Sequence, residues 1–546
     1  MSKRGLSPAA LPPAKRLPSS AAPAAPLHPL ALNFDSALYE ELVLLIFAHL
    51  SWFDLCSAHA VNRNWARLSL DNDLWKRQYL HVFGRSRLRG AKGFIGRTDG
   101  REIKPLPERV GAGTEPLELK DWRSMFRISW NWKRGRCSTE QIEGILKPPG
   151  PGSTFTSAAP HILLAGSTTI IASSVESLCP EVHCLCGASS TKQTLICGSP
   201  RHRHPFHITS IALDQSPPSS GVLQLAVFLS TGEFLVFLIN QLNPCSSSRK
   251  LAYVPLRPTS RTAPIIQAVY HHPLLISLSE GFTLSLYDLS SDTIVHTQTL
   301  TAYTTFPPSS LILSAQTPGI RYKLVLTYAV PIFPVHFSIG VTELIISASP
   351  GSSASSGSMS VVSTRTARAL DVPAGWIDQE KLRSMKDQWG RKLLHIQDTQ
   401  SDGKWVVLAP GDAPPPEQTS SSPSAVDSPY QLSSDSPASL QLYRLFLPLA
   451  TSVASPVPKL TFSRYLHHTA GAVSSMALAD GRCVTLGKNG GIWVWDIESG
   501  TGAEVAPPSR TGDPRVDLVE KGTVVFDDRR IITARGGTLL VHRFDI

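Results

Sequence analysis

Six residues in one short stretch could hold a metal ion: Cys179, His183, Cys184 and Cys186, with Cys197 and His202 close behind. Thiolate and imidazole suit zinc, but structural zinc sites use regular pairs such as Cys-x-x-Cys, and Cys184-Leu185-Cys186 is spaced too tightly for that. The stretch reads as ordinary buried or turn cysteines. Eight cysteines in the whole chain are too sparse for a disulfide framework, and a reducing compartment would keep them as thiols. Nor does the sequence contain a G-x-x-x-x-G-K-[ST] phosphate loop, an H-E-x-x-H metal helix, a G-x-S-x-G nucleophile elbow or a G-x-G-x-x-G fingerprint. No catalytic, cofactor-binding or metal-ligating residue is assigned, and the chain is expected not to be an enzyme.

Charge offers a second kind of chemistry. The net charge is +10, and most of it sits between Gly84 and Arg136, where fourteen Lys and Arg face six acids. A basic run can neutralise phosphates, but its Arg-rich half has no interleaved aromatics on which bases could stack. A solvated linker face, or one meeting an acidic partner, fits better than a nucleic-acid groove.

The elements behind these residues begin with Leu38–Trp75. Leu42, Ile46 and Leu50 recur every fourth residue, and Val43 with Phe47 forms a second stripe beside them. The spacing is helical, with Glu40 and Glu41 in the first turn, where negative charge is favoured. Ser51 followed by Asp54 predicts the cap of a second short helix, and Val61, Trp65 and Leu68 a third, with Leu74-Trp75 closing the unit. About forty residues cannot bury this much Leu, Ile, Phe and Trp among themselves, so something else must cover the remainder.

This pattern resembles the F-box, a helical motif that docks onto the Skp adaptor of cullin-type ubiquitin ligases. The resemblance rests on Leu38, Glu41-Leu42, Ile46-Phe47, Leu50, Asp54-Leu55, the Val61, Arg63 and Trp65 set, and Leu74-Trp75. It implies adaptor contacts from Leu38, Leu42, Ile46, Phe47, Leu50, Leu55, Val61, Trp65, Leu74 and Trp75. Tyr39 stands where the family usually has Pro, which is expected to weaken the start of the first helix.

At 546 residues, with 42% hydrophobic and 17% charged residues, the chain should fold into at least two domains. The Ala- and Pro-rich segment 1–29 is expected to be disordered and 30–83 to be the F-box, with 84–149 a basic linker containing a helix. That helix would run from Asp121-Trp122 to Lys133-Arg134 and stop at Gly135. Its Asn-Trp-Lys-Arg-Gly ending looks like the linker helix of F-box proteins of the WD-repeat class.

From about residue 150 the periodicity changes to alternation, as in 222–229, 233–239, 282–289 and 322–330, with Gly, Pro or Asp between the runs. Gly232 and Gly281 open similar runs 49 residues apart, and Asp496 and Asp545 repeat that interval. Such a period fits one four-stranded propeller blade. Asp480–Asp496 looks like a WD repeat, with Asn489 where the family commonly has Asp and His467 or His468 supplying its histidine. The implied fold is multidomain: a small all-α F-box and linker helix, followed by an all-β propeller of about seven blades over 150–546. Blade ends are expected near Cys186, Ile239, Asp288, Ile346, Leu447, Asp496 and Asp545, with the last strand pairing within 161–172. Insertions near 350–358 and 410–437 are expected to be disordered, and 376–389 to be helical.

The resemblance implies a substrate-recognition subunit of an SCF-type ubiquitin ligase. Its partners would be a Skp-type adaptor, through it cullin and RING subunits, and a protein substrate that is acidic or phosphorylated. Arg261, Arg321, Arg365, Arg482 and Arg535 are candidates for reading such a substrate by bidentate pairing, but spacing cannot put them on one face. A non-degradative F-box–propeller scaffold and a nucleic-acid-binding propeller remain as alternatives. With no apolar run long enough to span a bilayer, the expected location is cytoplasmic or nuclear, without membrane.

Overall fold

The structure is a computed structural model. It describes residues 37–84, 121–145 and, between 159 and 546, all but 187–190, 199–203, 217–221, 241–246, 256–262, 292, 302, 305, 318, 333–334, 349–358, 371–374, 412–438, 449–456, 469–470, 508–521 and 536. The expected disordered tail, the basic run 85–120 and the expected insertions (Pro410 and Gly411 excepted) therefore lie outside the described residues. The chain divides into two compact units, Met1–Gln78 and Tyr79–Ile546.

The first unit holds short helices: α1 (Glu40–Phe47), α2 (Trp52–Ala58), α3 (Arg63–Ser69) and α4 (Asn72–Tyr79). The starts of α2 and α3 have a local cause. Ser51 accepts a hydrogen bond from Asp54 N at 3.3 Å and donates its hydroxyl to the Asp54 carboxylate at 2.7 Å. Asn62 accepts from Trp65 N at 2.8 Å, capping α3 in the same way. Two expectations are corrected here. Leu74 and Trp75 lie in a fourth helix, and Val61 precedes α3, because the Asn62 cap sets the helix start beyond it.

In the second unit the described strands form seven four-stranded antiparallel sheets, the seven blades of an all-β propeller. The first is built from His161–Ala165, Thr168–Ala172, Glu181–Cys186 and Thr191–Ile196, and the next five follow within 208–253, 265–300, 310–368, 396–467 and 473–506. The first strand of each sheet touches that of the next, and Thr523–Phe526 touches His161–Ala165, so the ring closes. Apolar residues fill the space between blades; Leu274–Ser279, for example, is buried along its whole length.

The seventh sheet corrects the expected closure. Thr538–Arg543 pairs with Arg530–Arg535 on one side and with Ser138–Ile142 on the other, from Ser138 opposite Arg543 to Ile142 opposite Leu539. His161–Ala165 and Thr168–Ala172 instead pair with each other in the first sheet. A strand from within the segment read as linker thus becomes the outermost strand of the last blade.

Alternating strand direction gives the propeller two distinct ends. Connections from a fourth strand to the next first strand, and turns from second to third strand, lie at one end, here the front. Turns from first to second and third to fourth strands lie at the other, the back.

Candidate functional site

On α1 the two stripes part company. Val43 and Phe47 are buried, Phe47 meeting Trp65 edge to face at 5.4 Å. Leu42, Leu45 and Ile46, three and four residues apart, are left 45%, 58% and 43% exposed. Of the residues expected at the adaptor, Leu42, Ile46 and Val61 are exposed, Leu38, Leu50 and Trp65 half-buried, and Phe47, Leu55, Leu74 and Trp75 buried. The Trp75 indole donates to Ser69 O at 2.8 Å, and the Gln78 amide to Leu50 O at 2.6 Å, tying the helices together. Exposed Leu45 and Phe53 were not singled out from the sequence, although Leu45 sits at helical spacing from Leu42. Tyr39 holds φ −68°, close to the angle a proline ring imposes, so the missing Pro has not displaced the helix start.

α5 (Trp122–Arg134) is the expected linker helix. Asp121 caps it by accepting from Ser124 N at 3.0 Å, and Gly135 ends it in the left-handed region at φ 66°. Its far end belongs to the propeller. Trp132 stacks on Phe544 at 3.9 Å and donates its indole N–H to Asp528 O at 2.9 Å, while the Asn131 amide donates to Phe544 O at 2.9 Å. Arg482 also lies over the Trp132 ring, at 4.8 Å. Asp528 and Arg482 adjoin first-to-second-strand turns, so α5 packs on the back end.

The front end is different in character. Val175, Leu178, Val254, Val335, Trp376 and Trp389 stand exposed in or beside its connections. The helix expected at 376–389 is α6 (Gln379–Trp389), within the connection from the fourth to the fifth blade. The candidate arginines scatter. Arg321 and Arg482 begin second strands at the back, and Arg535 ends one at the front. Arg365 is engaged by Glu343, which is 3% exposed, and also donates to Pro448 O at 2.7 Å. Arg261 lies outside the described residues.

In the WD-like repeat, Asp480 (φ 48°) and Gly481 (φ 72°) form the tight hairpin turn expected there. Asp496 accepts from Glu498 N and Ser499 N, closing the turn after its strand. His468, 5% exposed, meets Trp495 edge to face at 5.7 Å, yet neither of its ring nitrogens has a hydrogen-bond partner among the described residues. Burial, reinforced by neighbouring His467, pulls its pKa down to about 4. Asn489 spends its carbonyl on Gly491 N at 3.0 Å, in its own turn.

The cysteine-rich stretch forms no group of three or more metal-binding side chains among the described residues. Cys184 and Cys197 are buried, and burial, with Cys184 beside it, pushes the Cys197 thiol up to about 12, away from the thiolate that a metal needs. Also among the described residues, no helix is long and apolar enough to cross a membrane.

Comparison with known proteins decides the family. The model of the F-box protein pof12 beta-propeller matches residues 187–535, well over half of the chain. The chain belongs to that family. An F-box-like model matches residues 40–81, covering α1 to α4. Curated relatives include the probable E3 ubiquitin ligase complex SCF subunit sconB of Arthroderma otae, 25% identical over 131 residues, or 21% of this chain and 18% of that protein. An F-box protein of Saccharomyces cerevisiae is 24% identical over 131 residues, again 21% of this chain and 19% of its own length. The matched region spans about a fifth of each of these relatives. Among solved structures, the Cps50 (Swd1) propeller of Myceliophteria thermophila covers 74% of this chain and 98% of its own, at 10% identity and a TM-score of 0.39. That likeness is too weak to carry an argument; the seven-bladed propeller rests on the strand pairing.

Proposed function

We propose that this pof12-family chain is the non-catalytic substrate-recognition subunit of an SCF-type ubiquitin ligase. Its helical unit docks on a Skp-type adaptor and, through it, on cullin and RING subunits, while the front end of its propeller receives a protein substrate. The mechanism is proximity: a lysine held near a charged conjugating enzyme reacts at a raised effective concentration. The reading is supported by the F-box-like match and by relatives named as SCF subunits.

One observation carries it. α1 leaves Leu42, Leu45 and Ile46 in solvent while its other stripe is sealed inside. Each is about half exposed, so covering what remains would contribute roughly 0.7–1.5 kcal/mol apiece, a clear incentive for a partner. In this proposal Leu42, Leu45, Ile46, Phe53 and Val61 touch the adaptor, whereas Phe47, Leu55, Leu74 and Trp75 hold the helices that present them.

The test is capture of a purified Skp adaptor by the full chain, beside a Leu42→Asp/Ile46→Asp variant. The double variant should fold, because both sites are exposed, and should lose about 100-fold or more in affinity. Phe47→Ala should instead destabilise the helical unit by about 3–5 kcal/mol. A folded, unmutated chain that fails to hold the adaptor would overturn the proposal.

A further inference from the structure

The α6 helix stands apart among the described α-helices, since none of its residues is buried. Asp378 starts it by accepting from Lys381 N at 2.8 Å. Its C-terminal side is anchored: Leu393, 4% exposed, exchanges backbone hydrogen bonds with Phe337, and Arg391 lies over the Phe462 ring at 4.6 Å. The chain is thus fixed just beyond the helix, while the helix's own apolar residues stay uncovered. Leu382 is 45% exposed, Trp389 43%, and Trp376, just before the helix, 86%.

Charge is arranged around these residues. At 100° per residue, Leu382, Met385 and Trp389 share one stripe, with Lys381 and Lys386 roughly 70° to either side. Glu380 and Asp387 fall on the far side. Lys392 adds a cation at 4.9 Å from the Trp389 ring. Apolar anchors bordered by lysines, with the acids turned away, complement a segment that carries large apolar side chains among carboxylates.

We infer that α6 is a docking site for an acidic, apolar-anchored segment of the protein substrate, an inference that rests on the receptor reading above. An anionic lipid surface is the less suitable occupant. Lipid-binding patches gather roughly 4–8 Lys or Arg, whereas Lys381, Arg383, Lys386 and Lys392 only reach the bottom of that range and share this stretch with Asp378, Glu380 and Asp387. The helix also lies in the fourth-to-fifth-blade connection, at the end of the propeller opposite α5.

The experiment selects short random peptides on the full chain held by its adaptor, then measures one enriched, fluorescein-labelled peptide by anisotropy. Enrichment of Asp and Glu around Leu, Phe or Trp is expected. Affinity should fall by about tenfold or more in Leu382→Ser/Trp389→Ser and in Lys381→Glu/Lys386→Glu, and should weaken with added salt. Both variants should melt like the parent and retain the adaptor, which separates failure of this inference from failure of the receptor reading. Absence of an acidic–apolar consensus would overturn it, as would equal binding to the variants. So would substitutions that alter only self-association, contact with the chain's own 412–438 segment, or binding to phosphatidylserine vesicles.

Discussion

His468 shows how much one residue can set. It is neutral in the folded chain, with its pKa near 4, whereas in the unfolded chain it titrates near its ordinary 6.5. Between those values the unfolded state binds the extra proton, so acid favours unfolding. The stability linked to His468 is complete above about pH 6.5 and declines as pH falls toward 4, by up to about 3 kcal/mol. His542, 2% exposed and also depressed by burial, acts in the same direction. Denaturant unfolding at about pH 7.5 and about pH 4.5 checks this: His468→Leu should shrink the difference between the two pH values. An unchanged difference would mean that the imidazole takes up its proton as readily in the folded chain as in the unfolded one. The residue scale also marks a limit of periodicity. Spacing identified α1 as a helix with two apolar stripes, but it could not say that Val43 and Phe47 turn inward while Leu42, Leu45 and Ile46 stay out. That division depends on where α3 places Trp65, a tertiary fact.

At the scale of elements, legibility followed how much each segment's role is written in its own side chains. The positions expected to close blades, from Cys186 to Asp545, fall at or within two residues of the end of the third strand of each sheet, one per sheet. Those strands are apolar, alternate, and end in polar turns, so their pattern is local. α5 was legible for a similar reason: the Asp121 cap, the aromatic face and the Gly135 stop are all local signals. Ser138–Ile142 was not. It is Ser-Thr-Glu-Gln-Ile on an outer edge, mostly exposed, and only its partner across the closure makes it a strand. Gly135 joins the two kinds of element, helix and closing strand. Its φ is 66°, and a Cβ there would meet Glu504 O at 2.0 Å, so alanine is opposed both by backbone conformation and by a rigid neighbour. Gly135→Ala should cost about 1–3 kcal/mol and speed hydrogen exchange at Arg136, whose N–H bonds to Asn131 O at 2.9 Å. Wild-type exchange and melting in that variant would show the helix end to be free to shift.

For the whole molecule, closure makes the last prediction. Each blade of the ring ends in an outer edge strand that covers the strand inside it, and here the last blade borrows that strand from a segment some 400 residues earlier in the chain. The same segment brings α5, whose Trp132 joins Ile128 in a core shared with Val484, Ile531 and Phe544. A chain cut to begin at 150, the boundary suggested by sequence periodicity, loses the strand and the helix together. It leaves Thr538–Arg543 as an open edge and uncovers Phe544 at its end, so it should aggregate or melt far below the full chain. A chain beginning at 121 keeps both and should elute as a single species with a cooperative transition. Light scattering after size exclusion, followed by thermal melting, compares the two. A stable, monomeric 150–546 fragment would mean that the ring closes without its N-terminal strand. Should the prediction hold, the closing strand directly follows the helix fixed to the back end, so α5 cannot leave the propeller without opening its last blade. Such a linker is rigid at this end by construction, as the proposed receptor role would require.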